Sequence, residues 1–255
     1  MSENIIILAL AILPVLILSI YIYRKDKFEK EPLGMLVKAF LFGCLSVIPA
    51  VVLEKFLMAV APLSVSESYS DVWQSIYNGF VVAGFSEELC KLLLLAFVVW
   101  RSRHFNEYFD GIVYAVFLSL GFAGVENLLY VFGQETMMLS MTTAVVRAAV
   151  SVPGHFLFAV AMGYYLALAK FEPAKRLLNL IKAFLVPVML HGAFDTLLML
   201  SSAMSDYATE ISLGLLFLFV FFDIKLWKAG KRKLRRLQMK SEIQNYENLT
   251  DIETE

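Results

Sequence analysis

The chain has 255 residues, of which 59% are hydrophobic and 18% are charged, and its formal net charge is −1. Soluble domains are about 45–50% apolar and about 25% charged, so this composition argues against soluble globular, disordered, coiled-coil and nucleic-acid-binding proteins. The two cysteines, Cys44 and Cys90, lie in apolar runs and give neither a disulfide framework nor zinc-finger spacing. The composition therefore indicates an all-α, polytopic membrane helix bundle.

Seven stretches are long and apolar enough to form membrane-spanning helices, each of which needs roughly 20 residues. The connections between them alternate between basic ones and ones without Lys or Arg, such as Ser64–Ser75. Because basic loops stay in the cytoplasm, this alternation predicts an N-terminus outside and a C-terminus in the cytoplasm. The predicted spans are Asn4–Tyr23, Leu33–Phe56, Ile76–Trp100, Gly111–Phe132, Thr142–Ala169, Ile181–Leu200 and Ile211–Trp227.

The chain divides into one membrane-embedded domain and a short tail. Residues 1–230 contain all the predicted spans, and residues 231–255 are first basic and then polar and acidic. Such a segment lacks the apolar residues needed for a packed core, so we expect a disordered cytoplasmic tail.

The third span carries the tandem carboxylates Glu87 and Glu88, followed by Lys91. Each charged side chain near the centre of a membrane helix costs about 2.5–3.5 kcal/mol, so such residues are usually functional or paired. Lys91 is four residues from Glu87 and three from Glu88, so it can reach either carboxylate on one helical face. A charge-neutralising group that only stabilises packing is the alternative, but three charges are costly for that purpose alone.

The next two spans contribute further polar residues. Glu126 and Asn127 lie near the outer end of the fourth span, where the carboxylate could also reach the headgroups. His155 follows Pro153 in the fifth span, and because proline removes a backbone hydrogen bond, the helix can open beside the imidazole. Arg147, nearer the outside, could snorkel to the headgroups or pair with a carboxylate, and the sequence leaves both possibilities open.

The sixth span contains His191 and Asp195, which are four residues apart and so share one helical face. The carboxylate can orient the imidazole or share a water molecule with it. Together with the residues of the other spans, these side chains form a set of general acids and bases. Hydrolysis of a peptide bond inside or beside the membrane fits this set.

The motifs of three known types of intramembrane protease are absent from this sequence. The sequence contains no His-Glu-x-x-His zinc motif and no Gly-x-Gly-Asp aspartyl motif, and Gly84-Phe85-Ser86 is followed by Glu87 rather than by the glycine of a serine site. A glutamate-centred site remains. A zinc ion held by two histidines and a glutamate is possible, but the tandem carboxylates with Lys91 favour a water-activating base without a metal cofactor.

The order of these motifs resembles the PrsW family of bacterial membrane proteases. The resemblance covers roughly residues 5–230, with one departure, Ala115, where the family usually has glycine. It rests on these segments: Glu87-Glu88-x-x-Lys91, Phe109-Asp110-Gly111-Ile112-Val113-Tyr114, Gly121-Phe122-Ala123 with Glu126-Asn127, His155 after a proline, His191-Gly192-x-x-Asp195, and the early segment Asp26 to Pro32.

The resemblance implies a relation to the CAAX-type and bacteriocin-processing proteases, in which a glutamate activates water and histidines from later spans assist. It implies a bacterial cell-membrane enzyme that makes the first, site-1 cut in a membrane-anchored anti-sigma factor, on its extracytoplasmic side, in response to envelope stress or antimicrobial peptides. The implied catalytic residues are Glu87, Glu88, Glu126, His155, His191 and Asp195, with Lys91 and Asn127 in support.

Two alternative functions use the same residues. A non-catalytic scaffold subunit of a protease complex would keep the histidines, but scaffolds of this type lose the tandem carboxylates, which this chain retains. A proton-coupled transporter would relay protons along the glutamates and histidines. The sequence shows no inverted repeat and no pair of broken helices, which argues against transport.

Overall fold

The computed structural model describes residues 2–61, 71–205 and 207–254, and every regular element within them is helical. This confirms the all-α class. The elements are α1 (Ser2–Lys25), α2 (Leu33–Ala59), α3 (Asp71–Ile76), a π-helix (Tyr77–Phe85), α4 (Ser86–Val99), α5 (Asp110–Phe132), α6 (Met137–Ala149), α7 (Ser151–Phe171), a short 3₁₀ turn (Pro173–Lys175), α8 (Arg176–Met204) and α9 (Thr209–Thr254).

Helix α5 lies at the centre of the bundle, where it packs against α1, α2 and α7. Most of its side chains between Asp110 and Ala123 are buried. In contrast, α1 and α2 direct large apolar side chains outward: Ile17 is 55% exposed and Ile48 is 65% exposed. A helix that is apolar on its outer as well as its inner face belongs in lipid, which can cover the exposed side chains.

Among the residues that the structure describes, five helical stretches are long and apolar enough to cross a bilayer: Asn4–Lys25, Leu33–Ala59, Asp110–Phe132, Met137–Phe171 and Pro173–Met204. These match five of the seven predicted spans. The predicted spans Ile76–Trp100 and Ile211–Trp227 are also mostly helical, but the first passes through the π-helix and both carry charged residues. Seven crossings, and the direction of the termini, stay predictions. The predicted outer connection Ser64–Ser75 lies mainly outside the described residues.

The fifth predicted span consists of two helices rather than one. Helix α6 ends at Ala149, Val150 has the non-helical angles φ −120° and ψ −65°, and α7 begins at Ser151. Pro153 explains the position of the break, because it has no N–H to donate to the carbonyl four residues earlier, at Ala149. The break sets the direction of the helix that carries His155.

The tail differs from the disorder predicted for residues 231–255, since α9 continues as one helix to Thr254. Leu234 and Leu237 are buried against the bundle. The hydroxyl of Ser241 accepts a hydrogen bond of 2.9 Å from the backbone N–H of Phe109, and Gln244 donates one of 2.8 Å to the carbonyl of Asn106. The tail continues as a helix because Leu234 and Leu237 share one helical face that packs in the core, while Ser241 and Gln244 bond to the connection before α5.

The connection between α1 and α2 holds a buried pair of acids. Asp26 and Glu31 are 1% and 4% exposed, and the backbone N–H of Glu31 donates to Asp26 at 3.2 Å. The hydroxyl of Tyr114 donates a short hydrogen bond to the carboxylate of Glu31. Burial raises the pKa of Asp26 to about 6 and the pKa of Glu31 to about 7, because desolvation disfavours the charged form.

Candidate active site

The tandem carboxylates follow directly after the π-helix, which lies against α8. A Cβ atom on Gly84 would lie 3.0 Å from the carbonyl oxygen of Val188, and one on Gly192 would lie 2.3 Å from the ring of Phe80. Only glycine permits so close an approach of two backbones. These two glycines therefore bring the helix of His191 against the segment that leads into Glu87.

Lys91 lies at the centre of the charged cluster. Its Nζ atom is 2.9 Å from Oε2 of Glu87, 2.9 Å from Oε1 of Glu88 and 3.1 Å from Nδ1 of His155. The side chain is 1% exposed, and its ammonium also lies 4.0 Å from the centre of the Phe122 ring. The spacing predicted that Lys91 could reach either carboxylate, and in the structure it contacts both.

Glu87 and Glu88 lie in different surroundings. Glu88 is fully buried, and its Oε1 atom is 3.0 Å from Nδ1 of His191. Glu87 is 5% exposed, lies 4.0 Å from the same nitrogen and lines a cavity. Only Glu87 of the pair is therefore placed to contact a water molecule or a substrate in that cavity.

A second chain of contacts runs from His155 to Arg147. Nε2 of His155 is 2.8 Å from Oε2 of Glu126, and Nη2 of Arg147 is 2.8 Å from the same oxygen. Arg147 Nε also donates to the side-chain oxygen of Asn127 at 2.9 Å, while Asn127 donates to the backbone of Ala11 at 2.8 Å. Of the two possibilities left open by the sequence, Arg147 takes the pairing role. Asn127 ties α5 to α1 and to α6.

The contact predicted between His191 and Asp195 is also present. Nε2 of His191 is 3.3 Å from Oδ2 of Asp195, and Asp195 is 23% exposed at its side chain. The imidazole of His191 stacks on Phe158, with ring centres 4.7 Å apart, and its centre lies 5.2 Å from that of His155. The two imidazoles thus meet edge to face, and a carboxylate contacts Nε2 of each ring.

These side chains surround one cavity of about 380 Å³. The polar residues in its wall that sequence reasoning missed include Glu54 from α2, Asn78 from the π-helix and Ser151 from α7. Glu54 lies near the end of a predicted span, where a carboxylate resembles an ordinary interfacial residue. The predicted site residues in the wall are Glu87, Glu126, His155, His191 and Asp195, together with Arg147.

The residue types of this cluster are suited to binding a metal ion, but their arrangement around Lys91 is not. Glu87, Glu88, His155 and His191 offer donor atoms within 4.8 Å of one another, and carboxylates with imidazoles are typical zinc ligands. However, Nζ of Lys91 lies within 3.1 Å of three of these four residues. A divalent ion bound among them would adjoin an ammonium group, so the described arrangement does not fit a metal.

The comparisons with known proteins agree on one family. Residues 31–224 match the model of a family described as PrsW family intramembrane metalloprotease. The chain is 40% identical to Protease PrsW of Clostridioides difficile (strain 630) over 242 residues, which cover 94% of each chain. It is 33% identical to Protease PrsW of Bacillus subtilis (strain 168) over 231 residues, which cover 90% of this chain and 94% of the relative. No solved structure matches.

Proposed function

Since this chain belongs to the PrsW family of intramembrane proteases and is a multi-pass membrane peptidase, we propose that it makes the site-1 cut in a membrane-anchored anti-sigma factor. Its substrate class, a membrane protein, follows from the family. The observation that carries the proposed chemistry is the cavity in which Glu87, His155 and His191 meet from three different helices. The resemblance of the motif order to the PrsW family supports the choice of an anti-sigma factor.

In the proposed reaction, Glu87 takes a proton from a water molecule while the water oxygen bonds to the carbonyl carbon of the scissile peptide. Polar groups of the cavity wall, with His155 and His191 among them, stabilise the negative charge that develops on the former carbonyl oxygen. When the carbon–nitrogen bond breaks, the proton held by Glu87 passes to the leaving nitrogen. Atoms and charge balance in this series of steps without a metal ion.

The remaining carboxylates orient the groups that react. Asp195 contacts Nε2 of His191, and Glu126 contacts Nε2 of His155, which fixes the plane of each ring. Glu88 contacts His191 and Lys91 from the buried side. In this assignment one carboxylate of the tandem pair reacts and the other holds its neighbours in place.

The position of the cavity supports an outward-facing site. Its wall includes Met58, Tyr130 and Met199, each within a few residues of the end of α2, α5 or α8. The predicted topology places all three of these helix ends on the extracytoplasmic side. A substrate segment outside the membrane would therefore reach Glu87 from that side.

Cleavage by purified protein tests the proposal. The full chain, reconstituted in lipid with a membrane-anchored anti-sigma factor, should release a fragment cut on the extracytoplasmic side, as identified by mass spectrometry. The double variant Glu87→Gln/Glu88→Gln should insert but not cleave, whereas Glu242→Gln, in the exposed tail, should cleave normally. Normal cleavage by the double variant would contradict the glutamate mechanism. If the protein cleaves another membrane protein but leaves the anti-sigma factor intact, the proposed substrate is wrong.

The orientation is tested separately with fused reporters. A reporter after Lys240 should report the cytoplasm, and one inserted in Ser64–Ser75 should report the outside. The opposite result at either position would place the cavity on the cytoplasmic side and contradict an extracytoplasmic cut.

A further inference from the structure

A second, larger cavity lies where α7, α8 and α9 meet, away from the candidate active site. It has a polar part of about 860 Å³, whose wall includes Tyr164, Asn179 and Lys182. An adjoining part of about 790 Å³ is mainly apolar. Tyr165 and Lys233 line both parts, so the two parts adjoin and are described together as one two-part cavity.

The polar part carries an excess of positive charge. Nζ of Lys233 lies 4.1 Å and 4.2 Å from the ring centres of Tyr164 and Tyr165. Among the described residues, Glu172 is the one carboxylate in this wall, and Lys240 already pairs with it at 2.8 Å. Burial, together with the neighbouring cations, lowers the pKa of Lys233 to about 8. The cations of the wall are Lys175, Lys182, Arg232, Lys233, Arg235 and Arg236.

Asn179 indicates independently that the polar part binds a hydrogen-bond acceptor. It is 4% exposed, and its side-chain Nδ2 atom has no hydrogen-bond acceptor among the residues that the structure describes. Buried donors are nearly always satisfied, and leaving one unpaired costs about 1–3 kcal/mol. An unpaired N–H donor among cations is suited to an oxyanion such as a phosphate group, which accepts from both.

The apolar part shows what else the ligand carries. Leu157 and Ala161 of α7, Leu190 of α8, and Phe222 and Leu226 of α9 line it, and its wall also includes the basic side chains Lys225, Lys228 and Lys231. A free phosphate ion would contact only basic and polar side chains, whereas an amphiphile with an anionic head and a hydrocarbon chain would also cover these apolar ones. The predicted topology places this end of the bundle at the cytoplasmic leaflet, where headgroups are anionic.

We propose that the two-part cavity binds one anionic glycerophospholipid. Its phosphate group lies against Asn179, Lys182 and Lys233, and one acyl chain lies along the apolar part toward Phe222. This binding site is distinct from the candidate active site, and its occupancy does not depend on the proposed function.

Binding of defined lipids to the purified full chain in a neutral detergent tests the proposal. Native mass spectrometry should show saturable binding of phosphatidylglycerol, about tenfold tighter than binding of phosphatidylcholine. Because each basic side chain near an anionic surface contributes about fivefold to affinity, Lys182→Gln/Lys233→Gln should weaken phosphatidylglycerol binding more than tenfold. Inorganic phosphate should not displace the lipid at equal concentration, and if it does, the ligand is a soluble phosphate rather than a lipid.

The matched control removes two cations elsewhere on the same predicted side. Arg101 and Arg103 are exposed in the connection before α5, and Arg101→Gln/Arg103→Gln should change phosphatidylglycerol binding less than twofold. An equal loss in both double variants would show general attraction to a basic surface and overturn the site. Asn179→Leu keeps the charge and should still lose several-fold selectivity over phosphatidylcholine. Unchanged selectivity in that variant would contradict the proposed position of the headgroup. This test applies even if the lysine variant does not fold.

Discussion

Oε1 of Glu88 lies 3.0 Å from Nδ1 of His191, and this contact joins α4 to α8 at the buried side of the site. The same oxygen accepts from Lys91 at 2.9 Å, so Glu88 is fully engaged by protein groups at that atom. Glu87, its neighbour in sequence, points along a direction about 100° away on the helix and lines the cavity. One carboxylate therefore organises the site, and the other is available to a water molecule.

Substitution of each carboxylate by glutamine should separate these two roles. We expect Glu87→Gln to lower kcat by about 10²-fold or more, because a positioned general base typically contributes that much. Glu88→Gln should lower kcat less but lower the thermal unfolding temperature more, because it removes one of the carboxylate partners of Lys91 and one of those of His191. Cleavage rates and unfolding curves of both variants in the same detergent measure this. A greater loss of kcat in Glu88→Gln would reverse the assignment.

Arg147 should act through Glu126 and not on the substrate. Its guanidinium contacts Glu126 at 2.8 Å and Asn127 at 2.9 Å, and Glu126 in turn holds His155. We expect Arg147→Gln to lower kcat about tenfold with little change in KM, since a misplaced imidazole affects the transition state. Arg147→Lys should have an intermediate kcat, because lysine keeps the positive charge but cannot contact Glu126 and Asn127 with two separate nitrogens. A variant that raises KM and leaves kcat unchanged would mean that Arg147 binds substrate.

The local part of the site could be predicted from the sequence. Lys91 with the tandem glutamates, and His191 with Asp195, are three or four residues apart on one helix, and helical geometry alone brings such pairs together. The contact between Glu88 and His191 spans 103 positions. It depends on the close approach at Gly84 and Gly192, which no pattern within a single helix specifies.

Other features depended on tertiary packing and were not predictable in the same way. Glu54 joins the cavity only because α2 lies beside α4 and α5, and near the end of its span it had no distinguishing sequence signal. The tail after residue 230 has a disordered composition, but its apolar positions Leu234 and Leu237 are one turn apart and dock on the bundle. Composition averages over a segment and does not register two residues that share a face.

The ammonium of Lys91 should keep the site free of tightly bound metal. We expect wild-type protein purified with added zinc to contain well below one equivalent, and cleavage to survive dialysis against a chelator. Lys91→Met removes the competing charge and leaves two carboxylates and two imidazoles within 4.8 Å of one another, so it should bind Co²⁺ with a visible absorption band. Stoichiometric zinc in the wild type, with activity lost on chelation and restored by zinc, would overturn the glutamate-centred mechanism.

The acids between α1 and α2 should make stability depend on pH. Burial raises the pKa of Asp26 to about 6 and that of Glu31 to about 7, so the folded protein holds these protons more tightly than the unfolded chain does. Their contribution is fully present below about pH 4 and is lost as the pH rises to about 7, so the unfolding temperature should fall over that range. Glu31→Gln cannot lose a proton and should flatten the profile, whereas Glu242→Gln, at an exposed position of α9, should leave its slope unchanged. Parallel profiles for all three proteins would rule out this proton linkage.

The pair formed by His191 and Asp195 should act as a unit. Asp195 contacts Nε2 of the imidazole at 3.3 Å and can hold the ring in one plane. Loss of a group that stabilises the transition state typically costs about 10²-fold or more, so His191→Ala should lose nearly all cleavage. Asp195→Asn should keep more activity, because its amide oxygen still accepts a hydrogen bond. The double variant should be little worse than His191→Ala alone, since residues that act together are not additive in their effects on kcat. Additive losses would instead mean that Asp195, which is 23% exposed at its side chain, contacts the substrate independently of His191.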